Sequence, residues 1–296
     1  MTPLAELERR CQKPDHRRVG NWMARRVARP AALRITRVVA PCGITANMAT
    51  LAAWACGVAA AAAFAWGTSW GWIAGALLLQ LWYLLDHVDG QLARLRGTAS
   101  LDGVQLDYLM HHTVNLLVPL GIGAGLFVRT LEPLWALAGL IWGVAMLLIT
   151  LQHDARAKAF IKRLKRVHGS LEATGGGAAR PQPQPPIPRH PLRLLAWTAR
   201  KACETHVVMN MLTVLAVGQL LLGDSRLLLG SIFLAIIAPI AVAVAVCDII
   251  RSQRQSTVEQ EFVAWFRVPS GRELVFRDGW WFVRPVEDRG DGKSLD

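Results

Sequence analysis

Residues 48–94 read MATLAAWACGVAAAAAFAWGTSWGWIAGALLLQLWYLLDHVDGQLAR. Two uncharged apolar runs, Met48–Trp66 and Ser69–Leu85, are separated only by Gly67 and Thr68, and the second stops at a cluster of charge that begins with Asp86 and Asp89. A helix needs about 17–25 apolar residues to cross the ~30 Å hydrocarbon layer of a bilayer. Neither run alternates in the manner of a barrel strand, so the backbone must satisfy its own hydrogen bonds as helix. Four more such runs follow: Thr113–Val128 with a polar approach from Val104, Pro133–Gln152, Val207–Gly223 and Leu227–Cys247. The pattern predicts an all-α, polytopic membrane protein with six transmembrane helices. The first run starts too late for a signal peptide.

The 296 residues carry a formal net charge of +12. Of the 33 Lys and Arg residues, 31 fall before the first run, in the alternate loops on the same side, or after the sixth run; only Arg129 and Arg226 fall in the opposite loops. The positive-inside rule makes the richer side cytoplasmic. That placement explains the charge without a nucleic-acid partner and predicts attraction to anionic membrane lipids. It implies a multi-pass protein of the bacterial inner (plasma) membrane. The five cysteines are scattered and never spaced as CxxC, which argues against a disulfide frame or zinc site.

Three regions follow. Residues 1–44 are a basic cytoplasmic or interfacial segment, in which Val19–Ala40 mixes apolar residues with arginines as an amphipathic surface helix does; Pro30 should bend or divide it. Residues 45–250 form the six-helix membrane domain, with a cytoplasmic Pro/Gly-rich loop over 167–192 that reads as a linker, and with Arg156–Arg166 continuing the fourth span as a basic helix. Residues 251–296 are a small cytoplasmic tail, where Asp278-Gly279 between β-prone runs predicts a two-residue hairpin. Trp66, Trp70 and Trp72 near span ends read as an interfacial aromatic belt. Gly71-x3-Gly75 and Gly121-x3-Gly125 suit close helix packing, either within the bundle or in a homodimer.

The chemistry concentrates in Asp86–His112, DHVDGQLARLRGTASLDGVQLDYLMHH. Asp86 and Asp89 share one helix face at i, i+3, and Asp107 is followed one turn later by His111. Ionisable groups inside a membrane bundle are costly and mark function. Three clustered carboxylates require a compensating cation, and hard oxygen ligands suit Mg²⁺ or Mn²⁺. Asp86, Asp89 and Asp107 are therefore the candidate metal ligands.

This stretch resembles the signature of the CDP-alcohol phosphotransferase family, D-x2-D-G-x2-A-R-x8-G-x3-D-x3-D. Asp86, Asp89, Gly90, Ala93, Arg94, Gly103 and Asp107 stand at the required spacing, and His111 replaces the last Asp. Ile44-Thr45-Ala46-Asn47 also looks like the family's entry segment. The resemblance implies a metal-dependent transferase of phospholipid synthesis. It would move a substituted phosphate group from a CDP-linked lipid or CDP-alcohol donor to an alcohol acceptor and release CMP. Gly90, Ala93, Arg94 and Gly103 would bind the CDP donor, and His111 would take the family's position of general base, with His112 and Asp102 as neighbours able to share that role. The alternative is a non-catalytic, degenerate membrane homologue that acts as a lipid-binding or partner-recruiting scaffold.

Overall fold

A computed structural model describes residues 3–13, 16–18, 20–173, 187–224 and 226–286. Most of the expected linker, residues 174–186, lies outside the described residues. The described chain is predominantly helical and divides into two compact units: residues 1–150 with 183–247, and residues 151–182 with 248–296.

In the first unit, hydroxyl caps start the long helices. Thr45 accepts from the Met48 N–H at 3.2 Å and opens α3 (Ala46–Ala65). Thr68 accepts from the Gly71 N–H at 3.0 Å and opens α4 (Ser69–Arg96). Ser100 accepts from the Gly103 N–H at 3.1 Å and opens α5 (Leu101–Thr130). Each satisfies one of the donors that a helix start leaves unpaired. Gly97 closes α4 at φ 64°, a left-handed stop open to glycine, so only a short turn separates the two halves of the charged stretch. α6 (Pro133–Leu164), α7 (Pro191–Ala202), α8 (Thr205–Leu221) and α9 (Leu228–Arg254) follow.

Four helices, α3, α5, α6 and α9, are long and apolar enough to cross a membrane, and α7 with α8, bent by 76°, make up to five. The second expected span falls on α4, whose apolar residues stop at Leu85 before eleven further helical residues rich in charge. The fifth falls on α8, a helix of only 17 residues.

The α3 helix packs against both α4 and α5. The glycine pairs explain how: a Cβ on Gly121 or Gly125 would drive into the backbone carbonyls of Ala61 and Phe64, and one on Gly75 would stand 2.8 Å from the Phe64 ring. Both glycine pairs are thus used inside the bundle. We expect Gly125→Leu to force α5 off α3 and destabilise the fold by at least about 1–3 kcal/mol, the usual cost of overpacking. The readout is the midpoint of thermal unfolding in detergent; an unchanged midpoint would refute the close approach.

One expected interfacial residue is elsewhere. Trp66 and Trp70 are exposed, but Trp72 is fully buried. Its ring meets Phe64 edge-on at 5.4 Å and occupies the space left by Gly230. Together with Trp82 and Trp142 it belongs to the bundle core.

The amino-terminal segment is helical. α1 (Leu4–Cys11) is followed by a π-turn over Ala24–Ala28 that runs into α2 (Arg29–Val39). The π-turn answers Pro30: the Arg29 N–H reaches back to the Ala24 carbonyl, and the helix continues through the proline without breaking. α2 buries Ala32, Leu33 and Thr36 against α4. There the Thr36 hydroxyl donates to Gln91 at 2.9 Å, and Gln91 donates to the Arg29 carbonyl at 3.2 Å.

The second unit contains the end of α6, α10 (Thr257–Trp265) and short strands. β4 (Arg272–Arg277) and β5 (Trp280–Pro285) form the expected antiparallel hairpin with Arg277 opposite Trp280. Asp278 and Gly279 fill the turn at φ 51° and 84°, the signature of a primed turn. β1 (Val167–His168) adds to β5 in parallel, and β2 (Glu172–Ala173) pairs with β3 (Phe266–Arg267). The guanidinium of Arg163 lies over the rings of Phe262 and Trp281 and pairs with Glu259.

Candidate active site

The end of α4 and the start of α5 bring acidic and imidazole groups together. Ligand atoms of Asp86, Asp107 and His111 all lie within 4.8 Å of one another. The Nε2 of His111 is 2.9 Å from Oδ1 of Asp86 and 3.4 Å from Oδ1 of Asp107. That Asp107 oxygen is buried without a hydrogen-bond partner. Trp82 meets the His111 ring edge-on at 5.3 Å and limits its rotation. His87 is tied to its own helix, with Nδ1 2.8 Å from the Tyr83 carbonyl, and lies 3.5 Å from Oδ2 of Asp86.

Asp89 stands apart from this trio. It is 8% exposed and accepts a hydrogen bond from the Thr50 hydroxyl at 2.7 Å. It lines two cavities. One, of about 220 Å³, also holds Asp86, Asp107, His111 and Arg94. The other, of about 320 Å³, is walled by Asn47, Thr50, Gly90, Ala93, Arg94 and Gly103. All eight sequence-assigned site residues therefore line one or both of these cavities.

The small residues have a steric reason. A Cβ on Gly90 would stand 3.3 Å from the Arg94 guanidinium. A Cβ on Gly103 would stand 3.3 Å from the Ser100 hydroxyl and 3.5 Å from Asn47. Side chains there would narrow the cavity mouth. Arg94 is positioned from outside its helix: its Nε donates to the Cys11 carbonyl at the end of α1, which leaves the terminal nitrogens to serve the cavities as a fixed fork. α1 is anchored for this by Leu7 and Cys11, buried against Leu33 and Leu95.

Two residues named as neighbours of the site are not drawn in. Nδ1 of His112 faces Thr150 at 3.2 Å, and Asp102 is exposed in the first turn of α5. Thr50 and Lys13, which borders both cavities, were not legible as site residues, although Thr50 gives a faint signal as the only hydroxyl within Met48–Trp66.

The donor set fits a divalent cation. Two carboxylates and an imidazole converge, one buried carboxylate oxygen has no partner, and hard ligands of this kind suit Mg²⁺ or Mn²⁺. Fold and site together define a multi-pass helical membrane protein with a carboxylate–imidazole site beside an arginine. Residues 43–173 match the CDP-alcohol phosphatidyltransferase family. No curated protein sequence matches the chain. Among solved structures, the phosphatidylinositol phosphate synthase of Mycobacterium tuberculosis with CDP-DAG bound is 21% identical, with a TM-score of 0.40, covering 65% of this chain and 88% of that one. The same enzyme in complex with manganese and citrate is 22% identical, with a TM-score of 0.39, covering 63% and 83%.

Proposed function

We propose that the chain is a phospholipid-synthesis transferase that moves a substituted phosphate group from a CDP-linked donor to an alcohol acceptor and releases CMP. The observation that carries this reading is the convergence of the motif residues on two adjoining cavities that share Asp89, Gly90, Arg94 and Asp107. The cavity bounded by Gly90, Ala93 and Gly103 receives the cytidine nucleotide, and the Arg94 fork holds diphosphate oxygens at the junction. Asp86, Asp89 and Asp107 would hold the divalent ion, with His111 beside them free to accept a proton. When bound, that ion neutralises diphosphate charge and supports an in-line displacement at phosphorus.

The acceptor oxygen forms its bond to the distal phosphorus, the bond from that phosphorus to the bridging oxygen breaks, and CMP leaves with the electron pair. His111 takes the acceptor's proton. Its contact with Asp86 orients the ring and stabilises the imidazolium that results, the role a carboxylate plays beside any catalytic histidine. The six-span arrangement, with both termini and the site on the cytoplasmic side of a bacterial inner membrane, completes the proposal; it rests on the distribution of Lys and Arg.

The test is CMP release by purified protein in detergent, with CDP-diacylglycerol and with small CDP-alcohols as donors. Release should require Mg²⁺ or Mn²⁺, stop with EDTA and return when the ion is restored. Turnover that persists in EDTA refutes the metal reading. Absence of release with every donor favours a scaffold.

A further inference from the structure

Trp82, whose ring edge meets His111, also borders a third and smaller cavity, set among α4, α5, α6 and α8. Most of its wall is apolar, but four residues bring polar groups to it: Trp82, Asn115, Trp142 and Thr205. Trp82 is 1% exposed and Trp142 is fully buried, and the indole N–H of each has no acceptor among the described residues. Asn115 is also buried, and the Thr205 hydroxyl reaches its Oδ1 only at 3.4 Å, long for a hydroxyl donor. Pro119, on the same wall, has no N–H to return to the Asn115 backbone carbonyl, as an ordinary residue one turn along the helix would. Donors from α4 and α6 and acceptors from α5 and α8 therefore border one small space. None of these residues is among the eight motif positions, and their arrangement needs its own explanation.

His111, Asn115 and Pro119 follow one another at i, i+4 and i+8 on α5, so the cavity continues the His111 face into the apolar run that begins at Thr113. In hydrocarbon no bulk solvent can supply a missing partner, and a buried N–H without one is a cost that folded proteins avoid. The size of the cavity indicates what meets these groups. It leaves about 30 Å³ to the centres of water-sized spheres, and one water needs roughly 10–15 Å³ on that measure, so about two fit. Buried waters are held by two to four polar partners, the number of groups found here. Trp72 provides the contrast. Its indole N–H is equally buried and lacks an acceptor, but its ring packs on Phe64 and Gly230 and does not border this cavity.

We propose that this cavity is a water site inside the membrane bundle, and that its water, by fixing the Trp82 indole, positions His111. The second half rests on the transferase reading; the water site does not.

The test is hydroxyl-radical labelling by millisecond X-ray radiolysis of the full chain, which oxidises side chains beside ordered water even where bulk solvent is excluded. Trp82, Trp142 and the lining Met146 and Met209 report on the cavity, and Trp72 is the internal control. Trp82 and Trp142 should be oxidised at least about tenfold faster than Trp72, as a water held against them requires. Asn115→Leu should bring Trp82 and Trp142 down to the Trp72 rate; if that variant does not fold, Thr205→Val, which keeps the side-chain shape, should lower the rate in the same direction. Equal rates at all three tryptophans, or labelling unaltered in the folded variants, overturns the water site. Labelling present in detergent but lost in phosphatidylcholine nanodiscs also overturns it, because a lipid ester carbonyl then meets the indoles. Positioning is read from CMP release. Trp82→Phe and Trp142→Phe each remove one N–H and keep an aromatic ring, and Trp142 packs on Phe233, not on His111. Both should lower kcat by about tenfold, the scale of a slightly misplaced group, with the donor KM unchanged. A fall confined to Trp82→Phe assigns the effect to direct packing and overturns positioning through water, as does an unchanged kcat in both. Wild type that releases CMP from no donor removes the transferase reading and the positioning role together, while the labelling still decides the water site.

Discussion

Asp107→Ala and Asp86→Ala should each reduce transfer at least about 10³-fold while leaving a folded protein. These two carboxylates and His111 lie within 4.8 Å of one another, and the loss of either carboxylate leaves only the other and Asp89 to hold a cation. A bound metal contributes several kcal/mol of charge stabilisation at a transferring phosphoryl group, and each 1.36 kcal/mol is tenfold in rate. The folded state should survive, because Asp107 contributes a buried oxygen that no protein group satisfies, and its removal relieves a cost. The measurements are CMP release and the affinity for Mn²⁺, with elution on gel filtration as the control for folding. Near-normal release by either variant would remove the cluster from the reaction. Asp89→Ala should behave differently: it also removes a buried hydrogen bond and leaves the Thr50 hydroxyl only the Ala46 carbonyl, so some loss of stability should accompany the loss of rate.

His111→Ala should lower the rate about 10²–10⁴-fold, the scale of a positioned proton acceptor. The substitution removes the group that lies between Asp86 and Asp107, and it opens a gap beside Trp82. His111→Asp restores the residue type found at this position in the family signature. It should retain partial activity and shift the preference between Mg²⁺ and Mn²⁺, because a hard oxygen replaces a nitrogen. His112→Ala should have little effect, since its ring nitrogen faces Thr150. A His111→Ala variant with wild-type turnover would reassign the base; a His112→Ala variant that loses more would assign it to His112.

Local signals carried much of this molecule. The four helices that meet the length and hydropathy of a span coincide with uncharged runs, because a run without charge has no alternative partner for its backbone. The second and third apolar runs set Asp86 and Asp107 at adjoining ends of consecutive helices, so their approach was legible, whereas the caps at Thr45, Thr68 and Ser100 and the stop at Gly97 were seen only in the structure. All eight motif residues line the two cavities, which His87, Gln91 and Val104 of the same helices also border. What escaped was tertiary. The burial of Trp72 depends on Gly230, far along the chain. α1 is short and largely charged, and only the packing of Leu7 and Cys11 on Leu33 and Leu95 gives it a place. The parallel pairing of Val167-His168 with β5 involves two residues, too few to show a strand period.

The tie between Arg94 and the Cys11 carbonyl joins residues 83 apart in sequence. The contact that orients the cavity arginine therefore cannot form until α4 has been synthesised. At about 5–20 residues per second, that is a wait of roughly 4–17 s for a nascent α1. During that interval the apolar side of the helix, Leu7 and Cys11, has no docking surface, because Leu95 has not yet emerged. α1 thus docks only after Arg94 has emerged, although it precedes every other part of the site in the sequence, and a ribosome stalled before residue 94 would carry an α1 with its apolar side uncovered.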